Sequence, residues 1–490
     1  MARLRSLGAC LLPSALVALA GCNTSAAPGD GSIQTSSPFS NACTDALDSV
    51  YATPDPLPTF TDAQRGDVMA CALDTTISTG VANESVATNG YTGSRLTTGV
   101  TVYRVAYRVG RMASGPGPLD GLTAALVFVP DAVVDANVAI VTAHDTVGVA
   151  PSCAPSLSDQ TFGKDDTHTL NLAFAAAGYV TIAPDFAGYG YGDPTPGWLL
   201  AEDEASSVLD ATRAIAGLAP NGVTPSKFVL VGQGQGGHAV LAAQSMAKRY
   251  GHAGTIVGVA AFAPIWTAPR TWGADIASTT LATATDGAVM ATTLLYFYGH
   301  GELYDGPGGG ITMFDAAEQQ PVRTLLDRYC IDELATQVTT LGATFGDFVD
   351  PSFARSIGKC ADDATAAACG ADPAKTWDAR FSADRPDSAP DGAPVVVWQG
   401  GADATITTPG AVCGQDKLER DLSATEGALT YCGDDEATHG SVVERDVAWV
   451  RTWVAHVASG GPAPAPCDAF APVDGGGAPI TCPTTPPNSD

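Results

Sequence analysis

Three turns of this 490-residue chain carry side chains or spacings that could do chemistry: Gly232-Gln233-Gly234-Gln235-Gly236, the approach to Asp403, and His439 within Ala437-Thr438-His439-Gly440. Phe228 to Tyr250, FVLVGQGQGGHAVLAAQSMAKRY, is a short β-branched run that breaks into glycines and then into an Ala-rich helical pattern, which reads as strand, sharp turn and helix. A turn of this shape, G-x-S-x-G, lifts a serine hydroxyl out of the end of a parallel sheet, and its acid and histidine follow later in the chain, on turns after later strands. Gly232 and Gly236 frame that turn here, but Gly234 stands where the serine should be. Glycine has no atom with which to form an acyl-enzyme, and no other G-x-S-x-G occurs.

The other two positions are in order. The run Val395 to Trp398 leads into Gln399-Gly400-Gly401-Ala402-Asp403, and His439 follows 36 residues on, just before an amphipathic helical pattern from Val442 to Val457. His168, His238 and His456 fall in helical patterns, His252 and His300 in turns and His144 after a strand, so only His439 combines the order and the setting of a triad base. Alone, Asp403 reads as a turn-capping aspartate and His439 as a surface-loop histidine; it is their joint order behind the Gly234 turn that makes them candidates. Ala143-His144-Asp145-Thr146-Val147-Gly148, after the run Val138 to Thr142, is a further polar turn in the same setting. Asp434, Asp435 and Glu436 could hold a cation with other ligands, though such a cluster ordinarily marks a solvated loop.

Gly232, Gly234 and Gly237 also satisfy G-x-G-x-x-G, the pattern that lets a dinucleotide pyrophosphate approach a helix N-terminus. That reading needs a carboxylate about 20 residues further on, and no Asp or Glu occurs from Arg249 to Gly273. The dinucleotide reading is therefore the weakest of those considered, and no cofactor is expected.

Hydrophobic residues make up 45% of the chain, enough for a large core or two modest ones. The formal charge is −28, which disfavours a nucleic-acid partner and suggests a solvated acidic surface. Residues 1–22 have Arg3 and Arg5 followed by an apolar run from Leu7 to Ala20, too short to span a bilayer, and read as a signal for export. Leu19-Ala20-Gly21-Cys22 resembles the bacterial lipobox, so Cys22 is the expected lipidation site and anchor to a cell-envelope membrane; an ordinary secretion signal is the alternative. Residues 23–42 would be a flexible tether. Setting Cys10 and Cys22 aside leaves ten cysteines, an even number suited to an oxidising compartment. Proximity suggests Cys360 with Cys369, Cys413 with Cys432 and Cys467 with Cys482, without fixing the connectivity.

The elements that must position the candidates read as an α/β alternation. Residues 43–99 are expected to form a helical and loop extension, with the sheet beginning after it. Val100 to Val109 and Leu122 to Val129 read as strands, the first half-exposed; Val138 to Thr142, Tyr179 to Ala183, Phe228 to Val231, Ile256 to Phe262 and Val395 to Trp398 read as buried parallel strands. Helical patterns cover His168 to Ala177, Leu199 to Leu218 and His238 to Tyr250. The expectation is a mostly parallel sheet with helices on both faces, in two parts, 100–267 and 391–459, separated by a helical insertion at 268–390 over the strand ends. A Pro- and Gly-rich tail, 460–490, has no core of its own.

With these pieces placed, the chain resembles the secretory lipases of the α/β-hydrolase superfamily over Val100 to Ser459. The resemblance rests on AHDTVGVAPSCAPS after the third core strand, APDFAGYGYGDP after the fourth, VGQGQGGHA at the turn, GGADATITTPG at the acid and THG at the base. It implies an α/β-hydrolase fold with a helical cap, and hydrolysis of acylglycerols or other carboxylic esters. It further implies that Asp403 orients His439 and that the loop at His144 and Asp145 forms an oxyanion hole with the backbone N–H of Gln235. Gly234 departs from the family pattern at the nucleophile. The expected consequence is weak or absent ester turnover; the alternatives are a hydrolase using a water activated by His439, or a protein that binds lipid esters or fatty acids without turning them over.

Overall fold

A computed structural model describes residues 43–482 apart from 53, 55–58, 113–118, 162, 164–165, 192–194, 220–223, 269 and 279–285. The expected export signal with Cys22, and the tether to residue 42, lie outside the described residues.

Among the described residues nine strands form one sheet: β1 (Val68–Ile77), β2 (Val100–Arg111), β3 (Leu119–Pro130), β4 (Val138–Ala143), β5 (Val180–Pro184), β6 (Lys227–Gln233), β7 (Thr255–Phe262), β8 (Val395–Gly400) and β9 (Leu429–Asp434). Their order is β1-β2-β3-β5-β4-β6-β7-β8-β9. β1, β2, β3 and β5 pair antiparallel in succession, and every pairing from β5 across to β9 is parallel. The side chains of β4 are buried along its whole length, as a strand covered on both faces requires. Helices Ala201–Leu218 and Gln235–Tyr250 contribute to the apolar core on one face, and Asp166–Ala175 and Val442–Ser459 to that on the other.

Two strands were not expected. Residues 68–77 are not part of a helical extension but form the edge strand β1, tied to its approach by the Cys43–Cys71 disulfide. Its apolar pattern is blurred because Met69 and Leu73 are exposed while Ala72 and Ile77 are buried, and tertiary pairing with β2 supplies what the pattern lacks. β9 is short and only half-buried, apart from Cys432. β2, expected to be half-exposed, is buried at ten of its twelve positions, because helix Ala201–Leu218 packs on it; Tyr107 Oη donates to the Ser207 carbonyl at 2.8 Å.

Between β7 and β8 the described chain is mainly helical, with α-helices from Thr271–Ala277 to Ala374–Ala383. This region buries Leu294, Leu295, Phe297, Phe314, Phe345, Phe348, Trp377 and Phe381 in one apolar cluster that also takes in Trp198, Ile265, Ile406 and Phe470. His300 lies within helix Asp286–Tyr304 instead of a turn, since its neighbours Gly299 and Gly301 admit close backbone packing. The Cys153–Cys330 disulfide joins this region to the chain after β4, and Ile331 N–H donates to the Val147 carbonyl at 3.0 Å.

Of the pairings suggested by proximity, Cys360–Cys369 is present, but the other four cysteines pair as Cys413–Cys482 and Cys432–Cys467. The tail runs back beside β9, where Gly433 N–H donates to the Asp468 carbonyl at 2.8 Å and Phe470 is buried, so spatial neighbours replace sequence neighbours.

Candidate active site

Four turns meet beyond the carboxyl ends of the parallel strands: 144–148 after β4, 234 after β6, 400–406 after β8 and 434–439 after β9. This end of such a sheet is where successive βα loops converge.

The Gly234 turn is as tight as its glycines suggest. Gly234 has φ +53° and ψ −112° and directly precedes helix Gln235–Tyr250; its carbonyl accepts from His238 N–H and Ile265 N–H, both at 3.1 Å. A Cβ on Gly236 would overlap the carbonyl oxygen of Ala143, so the helix start approaches β4 closely enough to bring the 144–148 loop over Gly234.

Asp403 is held by its surroundings. Its Oδ1 accepts from the backbone N–H groups of Thr405 and Ile406, both at 2.8 Å, and its Oδ2 accepts from Gln399 Nε2 at 3.2 Å and His439 Nδ1 at 3.0 Å. The His439 carbonyl accepts from Gln233 Nε2 at 2.9 Å, fastening the histidine loop to the strand that leads into Gly234. On the opposite side of the ring, His439 Nε2 faces not a hydroxyl but Asp145 Oδ2, at 3.1 Å.

Asp145 reaches into the space above Gly234. Its Oδ1 accepts from Gln235 N–H at 3.1 Å and from Thr146 N–H at 2.7 Å. A Cβ on Gly234 would overlap that Oδ1 and come within 2.5 Å of Asp145 Cγ. The carboxylate therefore takes the volume that a serine side chain would fill, and it engages the N–H of Gln235, the residue after the nucleophile position. His144 points elsewhere: its buried Nδ1 bonds the Asp145 carbonyl at 2.6 Å, and its ring packs on Phe186.

The electrostatics follow from this. Burial opposes a charge on His439, but Asp145 and then Asp403 outweigh it and push the imidazole up to about 10. Burial likewise works against ionisation of Asp145, yet His439 and the two amide donors hold its carboxyl below the usual carboxylate range. Near neutral pH an imidazolium at His439 thus faces an ionised Asp145. Burial drives His144 the other way, down to about 4, so it is neutral. The Asp145 side chain keeps 24% of its surface exposed and His439 14%, against 1% for Asp403.

Beside the site lies a network that sequence reasoning missed. His238 Nδ1 bonds Glu204 Oε2 at 2.6 Å and its Nε2 donates to the Asp384 carbonyl at 2.7 Å; Glu204 Oε1 also accepts from Gln235 Nε2 at 2.7 Å. Asp384 in turn bonds His300 and Tyr296. A cavity of about 10 Å³ lined by His238, Trp272, Tyr296 and Asp384 offers room for one water. The available signal was an acidic triplet, Glu202 to Glu204, that reads as ordinary helix-start chemistry.

The sheet order and the turns together define an α/β-hydrolase fold. Among solved structures the chain is similar to lipase A of Candida antarctica, at 16% identity and TM-score 0.60, covering 89% of this chain and 90% of that one. It is also similar to the rice cell wall degrading esterase LipA of Xanthomonas oryzae, at 16% identity and TM-score 0.54, covering 78% and 93%. No family model and no curated protein matches the sequence.

Proposed function

We propose that this protein is an exported homologue of the secretory lipases in which serine-type ester hydrolysis is shut off. The observation that carries this reading is the Asp145 carboxylate, which fills the space above Gly234 and occupies the Gln235 N–H. A serine enzyme needs that N–H for the oxyanion of its intermediate, and removing the nucleophile alone costs on the order of 10⁶ in turnover. Lipid esters or fatty acids remain the ligand class, 268–390 acts as the cap, and Cys22 is the anchor. A water activated by His439 is the weaker reading, because an imidazolium held by two carboxylates accepts no proton until the pH nears 10. The dinucleotide reading weakens too, since Asp145 already lies at the helix start where a pyrophosphate would bind.

The test is p-nitrophenyl ester hydrolysis, over a range of acyl lengths, by the natural protein, Gly234→Ser, Asp145→Gly and the double variant. Only the double variant is expected to show a burst and turnover, because Gly234→Ser alone puts the new side chain onto Asp145. A burst from the natural protein would refute the proposal.

A further inference from the structure

We propose that the helical region is clasped to the sheet by one proton held between His238 and Glu204, and that losing this proton at alkaline pH frees the clasp and widens the cavity beside the Gly234 turn. The inference stands apart from whether the site turns over esters.

The clasp is defined by which atoms meet. His238 Nε2 bonds the backbone carbonyl of Asp384 at 2.7 Å, and a carbonyl only accepts, so that nitrogen carries a hydrogen. His238 Nδ1 lies 2.6 Å from Glu204 Oε2, and the other oxygen of this carboxyl already accepts from Gln235 Nε2 and Leu199 N–H, both at 2.7 Å. A proton therefore has to stand between Nδ1 and Oε2, whichever of the two atoms owns it. Removing it leaves two lone pairs 2.6 Å apart, at a place where His238 is 2% exposed and Glu204 0%. Relief requires the ring to turn away from Glu204, and its bond to Asp384 turns with it.

The two bonds of the ring lie on opposite sides of a seam. Glu204 belongs to helix Ala201–Leu218 and His238 to helix Gln235–Tyr250, both packed on the sheet. Asp384 follows helix Ala374–Ala383, and its carboxylate is fixed from helix Asp286–Tyr304 by Tyr296 Oη and by His300 Nε2, the latter at 2.7 Å. From the helical region Asp384, Tyr296 and Arg385 share a cavity wall with His238; Tyr304 and, over its ring, Arg380 stand behind them against His300. Burial opposes a charge on His238, but Glu204 outweighs it and holds the imidazole above its ordinary value; burial also lifts the Glu204 carboxyl, which favours the same shared proton. The contribution of His238 to docking is then complete below about 6.5 and is lost as pH rises through the raised value. Cys153–Cys330 holds the helical region at a separate point, so loss of the clasp loosens that region without releasing it. The cavity, of about 10 Å³, is also walled by Trp266, Trp272 and Ile265, and Ile265 N–H bonds the Gly234 carbonyl. A seam that parts here uncovers an aromatic, apolar surface beside the Gly234 turn.

The experiment is amide hydrogen exchange of the natural protein from about pH 6 to about pH 9, each rate divided by its intrinsic rate. Protection in helix Asp286–Tyr304 and around Asp384 should fall by about tenfold or more, while that in helix Asp166–Ala175, on the other face of the sheet, holds. A flat profile in the first region, or an equal fall in both, would overturn the proposal. Glu204→Gln keeps an acceptor for Gln235 and Leu199 and offers an N–H to a neutral His238, so its profile should be flat; a fall equal to that of the natural protein would overturn the proposal. If the variant fails to fold, the natural protein still decides: the His238 titration, followed by NMR, should have its midpoint where protection is lost, and a midpoint elsewhere would overturn the clasp. Asp145→Asn, which removes the main cause of the raised His439 titration, should leave the loss of protection in place. Its disappearance there would assign the effect to His439 and overturn the proposal.

Discussion

His439 and His238 are two histidines in related company that end in different roles. Each bonds an acidic side chain through Nδ1, Asp403 for one and Glu204 for the other. His238 is sealed between the start of the Gln235–Tyr250 helix and the helical region, its Nε2 spent on the Asp384 carbonyl. His439 keeps part of its surface in solvent and turns Nε2 toward Asp145, the one carboxylate of its pair with an open side. The type of residue and of its acidic partner is therefore a poor guide to chemistry. What separates the two is whether the second ring nitrogen meets a fixed carbonyl or a group that a substrate can reach.

The largest effect should come from the sealed side. Glu204→Ala strips the carboxylate from His238, Gln235 and Leu199 N–H together, and should destabilise the fold by about 2–5 kcal/mol in urea denaturation. A loss below about 1 kcal/mol would mean that the two histidines are not separated by burial as argued.

Next is Gly234→Ser. Placing a side chain at φ +53° against Asp145 should cost about 1–3 kcal/mol. Adding Asp145→Gly should recover part of that loss, a coupling readable in a double-mutant cycle. Additive losses would show that the two side chains do not compete for one volume.

The last effect is electrostatic and is read first as a titration. His439 is raised from its ordinary value near 6.5 to about 10, so the stability it contributes is complete below about 6.5 and is lost as pH climbs through 10. Asp145 is lowered, so its share is present above the ordinary carboxylate value and is lost as pH falls through the lowered one. Asp145→Asn should therefore bring the His439 titration, followed by NMR, down toward the usual histidine range and flatten the alkaline loss of stability. An unchanged midpoint would show that Asp145 does not hold the imidazole charged.

The buried strands were legible because β4, β6, β7 and β8 are near-continuous apolar runs rich in Val and Ala, as a sheet covered on both faces requires. β1 and β9 were not, since an edge strand with Met69 and Leu73 exposed and a six-residue strand with one fully buried side chain leave little periodicity to read. The order Gly234, Asp403, His439 could be read off the chain because Gly234 and Asp403 follow legible strands and His439 stands just before the closing helical pattern. The reach of Asp145 could not: sequence places its backbone on the turn after β4 but does not say that its carboxylate turns inward while His144 turns away. The signal was a matched exchange of volumes, a missing hydroxymethyl at 234 and a carboxylate at 145, which becomes evident only when β4 and β6 are seen side by side. The tail cysteines followed the same rule, pairing by where the chain returns in space.

The Cys153–Cys330 bond bears on how anything could enter. It fastens the chain beyond the Asp145 loop to the start of helix Ile331–Gln337, and Gly148, at φ +104°, lies so close to the Tyr329–Ile331 backbone that a side chain there would press on it. Covalent linkage therefore keeps the helical region and the Asp145 loop side by side at the 148–330 junction, and the two cannot part there while the disulfide is intact.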